Sequence, residues 1–475
     1  MTARTFAPIH AIGALIAEAS LDIDESLADR AVAAFADTIG VALAGAAEPS
    51  VGLAVRVARA QFATTGAPST TVVGAELLSS GGAAFVNAVA AHALDYDDVS
   101  SMVEGHPSAL LVPVLLALAE RDGASGRDII EAYLVGLHVA SGVGAGFDMR
   151  AAYARGWHLT SVLGVLGGAA AAARLKRLDL AQALMAIGIA GSLASGSRAN
   201  FGTMTKPLHV GVAALNAILA VDLAQSGFSA NPDIIEEPLG FLALHAESMI
   251  DSAAIEQALA RPVGAAATRI DVKRYPCCYH THRMIEAALE LRPRLLAGGS
   301  AADLADTVES VRITTSPGGT AALLYHWPTT PTEAKFSAEY TVSAALVDGA
   351  ISGTTFEEPA LDRAAVRALM KRVEVGERGI PPIGPGAWQD SYAVVEVLQR
   401  DGGRLAERVD VPKGAHPNPL SEPELKEKFA ACAARHPFLT IDGETVFGLV
   451  SSLRDDENAG SLLARVLDAG ECAAS

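Results

Sequence analysis

The sequence predicts a mostly α protein, in which a large all-α helical domain built from both chain ends carries a smaller inserted α+β domain. Three observations lead there. Apolar residues recur at helical spacing from Ile9 to about residue 265. The apolar half of the composition is mostly Ala, Leu, Val and Ile, with 44 Gly and 5% aromatics, a mixture that lets helices approach closely. Strand-like alternation gathers after residue 265, apart from Thr70–Val73. At 475 residues the chain also exceeds one ordinary compact core.

In the first half, Leu27–Leu43, Gly82–Asp95, Ser108–Arg121, Gly126–Gly142 and Leu180–Ala194 carry the helical period between Gly, Asp and Ser breaks. Val162–Ala173 is the longest apolar stretch; it is shorter than the roughly 20 residues of a membrane span and reads as a buried helix. Pro207 disfavours a helical Lys206 and suits a first helical position, so a helix is expected from Pro207 to about Ser226, ended by Gly227, with Lys206 at its cap.

Farther on, Val308–Thr315 alternates as a strand, and Tyr392–Leu398 with Leu405–Val411 flank Arg400-Asp401-Gly402-Gly403 as a hairpin. Helices are expected at Thr281–Leu296, Phe336–Val347 and Asp362–Lys371. Pro412–Pro419 reads as a stiff linker, and Ser421 with Glu424 forms a capping box that opens a further helix. The expected division is residues 1–265 with 415–475 as the helical domain and 266–414 as an α+β lid.

The net charge of −18, without a basic run or stripe, argues against nucleic acid and anionic membrane as partners. An acidic small molecule would then need a locally cationic pocket. Cys277, Cys278, Cys432 and Cys472 form neither a disulfide framework nor a CxxC metal site. Pro8, His10 and Glu18 interrupt a faint signal-like stretch from Phe6 to Ala17, so a cytoplasmic location is expected.

Against that acidic background three junctions stand out: Glu104-Gly105-His106-Pro107-Ser108, Gly156-Trp157-His158-Leu159-Thr160 and Thr205-Lys206-Pro207-Leu208-His209. Each sets a basic or titratable residue at a helix N-terminus, whose unpaired N–H groups and dipole favour an anion. Thr160 or Ser161 is expected to cap the helix after His158. Upstream lies His92-Ala-Leu-Asp95-Tyr96-Asp97-Asp98. On a helical wheel Phe85, Val89, His92 and Tyr96 share a face with Asp95 at its edge, which makes Asp95 the carboxylate to orient a histidine or act as a base; Asp97 and Asp98 are expected to face solvent or a loop. A metal set of Asp97, Asp98, Glu104 and His106 has no recognised ligand spacing, and none is expected.

Lys273-Arg274-Tyr275-Pro276-Cys277-Cys278-Tyr279-His280-Thr281-His282 gathers thiols, imidazoles and cations into ten residues; Cys278 is a candidate proton donor or a plain buried thiol, and two histidines alone do not make a zinc site. The dinucleotide fingerprint, P-loop, G-x-S-x-G elbow and HExxH are absent, which argues against nucleotide, serine-hydrolase and zincin chemistry.

Taken in order, the His92, His106-Pro-Ser-Ala, Gly156-Trp-His158, Thr205-Lys206-Pro-Leu-His209-Val-Gly, Lys273-Arg-Tyr-Pro-Cys-Cys, Ala334-Lys-Phe-Ser and Gly414–Leu420 segments resemble the MmgE/PrpD family over nearly the whole chain. That family includes 2-methylcitrate dehydratases, cis-aconitate decarboxylases and an iminodisuccinate epimerase. The resemblance implies a homodimer and cofactor- and metal-independent chemistry on di- or tricarboxylates. It implies catalytic roles for Asp95, His106, His158 and Lys206. Cys278 stands where the decarboxylase branch has a histidine, and Val99 where it has a threonine. Lys206, His209, Lys273 and His280 are expected to bind substrate, with Cys278 as a further catalytic candidate. The expected activity is a hydro-lyase acting by α-proton abstraction; the alternatives are an epimerase or racemase, a decarboxylase and a silent helical scaffold.

Overall fold

The structure is a computed structural model that describes residues 7–19, 21–64, 66–246, 250–296, 304–379, 391–439 and 442–468; Cys472 lies outside the described residues. The chain is mostly helical, as the period predicts, and separates into two compact units. Met1–Asn200, Met204–Asp271 and Ser421–Ser475 make the first, and Phe201–Thr203 with Val272–Leu420 the second.

The first unit holds α1 (Pro8–Ala17), α2 (Glu25–Gly45), α3 (Pro49–Gln61), the β1–β2 hairpin (Ser69–Thr71, Gly74–Leu78), α4 (Ser80–Ala93), α5 (Ser108–Asp122), α6 (Gly126–Gly144) and α7 (Met149–Ala154). It continues with α8 (Leu159–Leu175), α9 (Leu180–Ser192), α10 (Thr205–Gln225), α11 (Phe241–His245) and α12 (Ser252–Leu259). Local chemistry sets the boundaries. Asp24 accepts from the Leu27 amide to start α2, while Ser125 with Asp128 and Asp179 with Gln182 form capping boxes at α6 and α9.

Helix α4 is buried along its whole length, with α10, α5, α2 and α3 packed around it. Glycine makes the closest crossings possible. A Cβ on Gly211 of α10 would stand 2.5 Å from Val89 Cγ2 and 2.8 Å from the Phe85 carbonyl, both on α4. A Cβ on Gly136 of α6 would lie 2.6 Å from the Gly167 carbonyl of α8. Among the described residues α10 is the one helix that is by itself long and apolar enough to cross a membrane, and 56% of its apolar window is buried inside the protein.

The second unit contains α13 (His282–Leu295), α14 (Leu304–Thr307), β3 (Val308–Thr315), α15 (Pro331–Ala334), α16 (Ala338–Asp348), α17 (Glu358–Leu361), α18 (Ala364–Met370), β4 (Val373–Glu377), β5 (Ala393–Gln399) and β6 (Arg404–Val409). The strands form one sheet in the order β4-β3-β5-β6. The predicted hairpin is β5–β6, antiparallel with Val395 opposite Glu407, and β3 pairs parallel with β4. Val308, Val311 and Ile313 are all buried although period 2 alone would put Val308 and Val311 on opposite faces; the register shift between Val308 and Ser310 reconciles them. Helices α13 and α16 pack on this sheet.

After Leu420 the chain contributes α19 (Glu422–Ala433), α20 (Gly443–Ser451) and α21 (Leu462–Asp468) to the first unit, and the predicted Ser421/Glu424 capping box starts α19.

Candidate active site

Helix α4 ends at Ala93, one residue after His92, and Asp95 takes a positive φ of 53°. Aspartate tolerates that left-handed conformation better than most residues. The turn overrides the helical wheel extended to Tyr96 and brings Asp97 and Asp98 back inside. Both are fully buried rather than facing solvent, which corrects the sequence-based expectation.

Lys206 is likewise not the cap of its helix. Helix α10 starts at Thr205 with Met204 as N-cap, so Lys206 sits in the first turn, 4% exposed, and Pro207 occupies the third helical position. Its ammonium lies 2.6 Å from Asp95 Oδ1 and 2.8 Å from His92 Nε2. The ammonium has only protons to give, so it donates to both, and His92 must carry its own proton on Nδ1. That proton goes to Asp97 Oδ2 at 2.7 Å. The result is a buried chain, Asp97–His92–Lys206–Asp95. Burial holds His92 below the usual imidazole range, against the pull of Asp97.

His106 precedes α5, whose N-cap is Pro107. Its Nδ1 lies 2.8 Å from the Asp98 carbonyl oxygen, an acceptor, so His106 donates from Nδ1. In the neutral ring Nε2 then carries a lone pair; it stands 3.9 Å from Asp95 Oδ1. Thr160 does not cap α8: its hydroxyl oxygen accepts from the His106 amide at 3.2 Å, and His158 is the N-cap, without a side-chain cap bond. The Ser161 hydroxyl points at the His158 and Ser195 carbonyl oxygens.

The His158 ring stacks on His92 with centroids 5.7 Å apart, and its Nδ1 is 3.1 Å from Nδ1 of His209 on α10. Burial first, then the charge of Lys206, keeps His158 well below the usual imidazole range. Burial lowers His209 to about 4, with His92 and Lys206 adding to it. Both rings are therefore neutral near pH 7. Ser108 is fully buried: its amide donates to Asp98 Oδ1 at 3.2 Å, and its hydroxyl meets Asp98 Oδ2 and the Tyr133 hydroxyl. Burial raises Asp98 to about 8, so it is largely a neutral acid at pH 7.

His92, Asp95, Asp97 and His106 offer ligand atoms within 4.8 Å of one another, a set different from the one weighed on spacing. Of that earlier set, Glu104 turns toward Arg150 at 3.9 Å and Asp98 toward Ser108. Lys206 already supplies a cation in contact with two of the clustered side chains, so the group reads as an ammonium cradle.

The structure thus brings Asp95, His106, His158, Lys206 and His209 together within the first unit. His92 and Asp97 were not singled out as site residues. The signal available for His92 was its spacing three residues before Asp95; for Asp97 it was the Asp at 95, a residue type that lets a chain reverse after a helix.

Lys273, Cys278 and His280 belong to the second unit. Lys273 is fully buried, Cys278 is buried with its amide donating to the Lys335 carbonyl at 3.0 Å, and His280 Nδ1 donates to the Gly319 carbonyl at 2.9 Å. His282 instead packs between the Tyr275 and Tyr279 rings, 5.1 and 5.0 Å away, so the two imidazoles do not form a ligand pair.

The chain belongs to the MmgE/PrpD family of enzymes: the family's N-terminal domain matches residues 11–250 and its C-terminal domain residues 275–439. Among individual relatives, the chain is 33% identical to cis-aconitate decarboxylase of Mus musculus over 393 residues, 81% of this chain and 78% of the relative. It is also 33% identical to the Homo sapiens cis-aconitate decarboxylase over 388 residues, 80% of this chain and 78% of that one. The cis-aconitate decarboxylase-like protein oryM of Aspergillus oryzae is 28% identical over 406 residues, 81% of this chain and 82% of the relative.

Proposed function

We propose that this chain is a cofactor-independent hydro-lyase that removes a proton α to a carboxylate of a hydroxy-di- or tricarboxylate and expels hydroxide as water, or runs that step in reverse. One observation carries the reading: the Lys206 ammonium, gripped by Asp95 and His92, stands beside imidazoles kept neutral by burial. Loss of the α-proton builds negative charge on the adjacent carboxylate, and a preset ammonium in the first turn of α10 lowers the cost of that charge. His158, neutral and buried, is the base. His106, its Nδ1–H committed to a carbonyl, offers Nε2 to the substrate hydroxyl hydrogen. The departing hydroxide takes its proton from Lys206 and leaves as water; the lysine then regains a proton from solvent, and the α-proton held by His158 returns to solvent, while Asp95 accepts from and positions the ammonium. A cytoplasmic homodimer completes the proposal.

Decarboxylation is the second reading, favoured by the names of the mouse and human relatives. It leaves a carbanion that must be protonated, whereas neutral His158 and His209 suit chemistry that begins with a base. Proton NMR in D₂O, with and without chelator, against citrate, 2-methylcitrate, cis-aconitate and iminodisuccinate separates the two. Chelator-insensitive gain or loss of water supports the hydro-lyase, and release of CO₂ from cis-aconitate replaces it with the decarboxylase. Deuterium uptake with inverted stereochemistry and no change in composition identifies an epimerase. Unchanged spectra throughout reject this substrate class.

A further inference from the structure

We propose that His209 is the proton relay of this site: it exchanges a proton with His158 across the Nδ1···Nδ1 contact and passes it on toward solvent. The inference rests on His158 acting as the base in the proposed function.

The contact differs in kind from the carbonyl contacts of four other imidazoles in the first unit. His138, His245 and His436 meet the carbonyl oxygens of Leu259, Phe241 and Val72, and His106 meets that of Asp98. A carbonyl oxygen can only accept, so each of those rings has its tautomer fixed. Between His158 and His209 both atoms are ring nitrogens, 3.1 Å apart, and the proton can reside on either. The position of that proton decides what His158 is. With the proton on His158 Nδ1, its Nε2 is a base; with the proton on His209, the His158 Nε2–H is an acid.

The surroundings hold this pair face to face. Gly196 has φ of +124°, and a Cβ there would stand 3.3 Å from His158 Cβ, 3.4 Å from His209 Cγ and 2.4 Å from Ser161 Oγ. The His158 amide donates to the Gly196 carbonyl at 3.1 Å. The two rings also differ in exposure: His158 is 2% exposed, whereas His209 is partly buried. The order from substrate to water is therefore His158, then His209.

The step balances without a further reagent. The substrate Cα–H bond breaks and leaves its electron pair on the substrate as the enolate; the proton bonds to His158 Nε2. The Nδ1–H proton of His158 crosses to His209 Nδ1, and the Nε2–H proton of His209 leaves to a water. Once product has left, the His158 Nε2–H passes to water in the emptied site and the two relay transfers run backwards, which restores the base form of His158; the whole sequence reversed delivers a solvent proton to the substrate. Burial and the charge of Lys206 disfavour a lasting His209 imidazolium, so the proton passes on rather than being stored.

The test uses the full chain labelled with ¹⁵N-histidine, in wild type and His209→Gln; glutamine keeps a hydrogen-bonding group but cannot accept a proton at one end and release another. A scalar coupling between the two Nδ1 nuclei across the hydrogen bond is expected in the wild type. Exchange of the His158 ring proton with water is expected to slow at least ~10-fold in His209→Gln at unchanged thermal midpoint, and turnover to fall about 10- to 100-fold with KM within about twofold, partly restored by added imidazole. No coupling, or His158 exchange as fast in the variant as in the wild type, overturns the relay. Because coupling and exchange are read without substrate, a relay that passes them in a protein inert to every polycarboxylate puts the failure on the proposed function instead. Should His209→Gln lower the midpoint, His209→Asn repeats the exchange measurement, and normal exchange there again overturns it.

Discussion

Lys206 is the residue on which the site turns, because its ammonium touches both a carboxylate and an imidazole that are buried with it. Lys206→Ala and His158→Ala are each expected to lower turnover at least ~100-fold with the helical content intact, measured by steady-state kinetics and circular dichroism. Asp98 yields a separate expectation. Its folded-state pKa of about 8 lies above that of an exposed aspartate, so between roughly pH 4 and 8 the folded state holds a proton that the unfolded state has lost. Stability from this group is therefore lost as pH rises through that window. Asp98→Asn removes the dependence, and its stability relative to wild type should rise with pH by up to ~1 kcal/mol per unit, read from urea unfolding at several pH values. An equal pH slope in both proteins would place the Asp98 proton elsewhere. Lys206 and His158 could be singled out in the sequence because helix-start chemistry is local, and Asp95 because it falls at the edge of the helical face that carries His92. Asp97 and Asp98 were misread because their burial depends on one left-handed residue, Asp95, and no period records that.

Helices α4 and α10 carry opposite halves of the ammonium cradle: His92 from the last turn of one and Lys206 from the first turn of the other. Their separation is set by Gly211, where a Cβ would press into Val89 and the Phe85 carbonyl. Gly211→Ala must shift one helix, and backbone contact leaves little room to yield. It is expected to destabilise the protein by about 1–3 kcal/mol and to lower kcat more than it raises KM, because the ammonium moves relative to His92. Wild-type kinetics at reduced stability would separate the crossing from the site. Helix periods made α2, α4, α5, α6 and α9 legible to within a few residues, since each pairs an apolar repeat with a capping residue or turn. The bulge in β3 and the first-turn position of Lys206 were not legible. Sheet register and a proline's place within the first turn are decided by neighbours distant in sequence.

At the scale of the molecule, the last segment of the chain reaches back to the first unit and holds the loop that carries the carboxylates. Lys428 of α19 pairs with Asp37 of α2 at 2.5 Å, donates to the Tyr96 carbonyl at 3.0 Å and lies 3.9 Å from the centre of the Tyr96 ring. Tyr96 is flanked by Asp95 and Asp97, so a residue some 330 positions downstream fixes the backbone between two site residues. The same return brings Gly126 against the Leu453 carbonyl and Gly460 against that of Ala119, contacts too close for any larger residue. Local sequence could suggest that a final helix exists, through the Ser421/Glu424 box, but not that its lysine serves a loop near residue 96. Lys428→Ala leaves the Asp37 carboxylate buried without this cation, at a cost of about 3–5 kcal/mol, and frees the Tyr96 carbonyl. Lys428→Met with Asp37→Leu removes both charges and should recover most of that stability while leaving the loop without its anchor. The double variant is therefore expected to unfold near the wild-type urea midpoint and still turn over more slowly. Full activity in that variant would mean that the turn at Asp95 holds the carboxylates without help from the C-terminal helix.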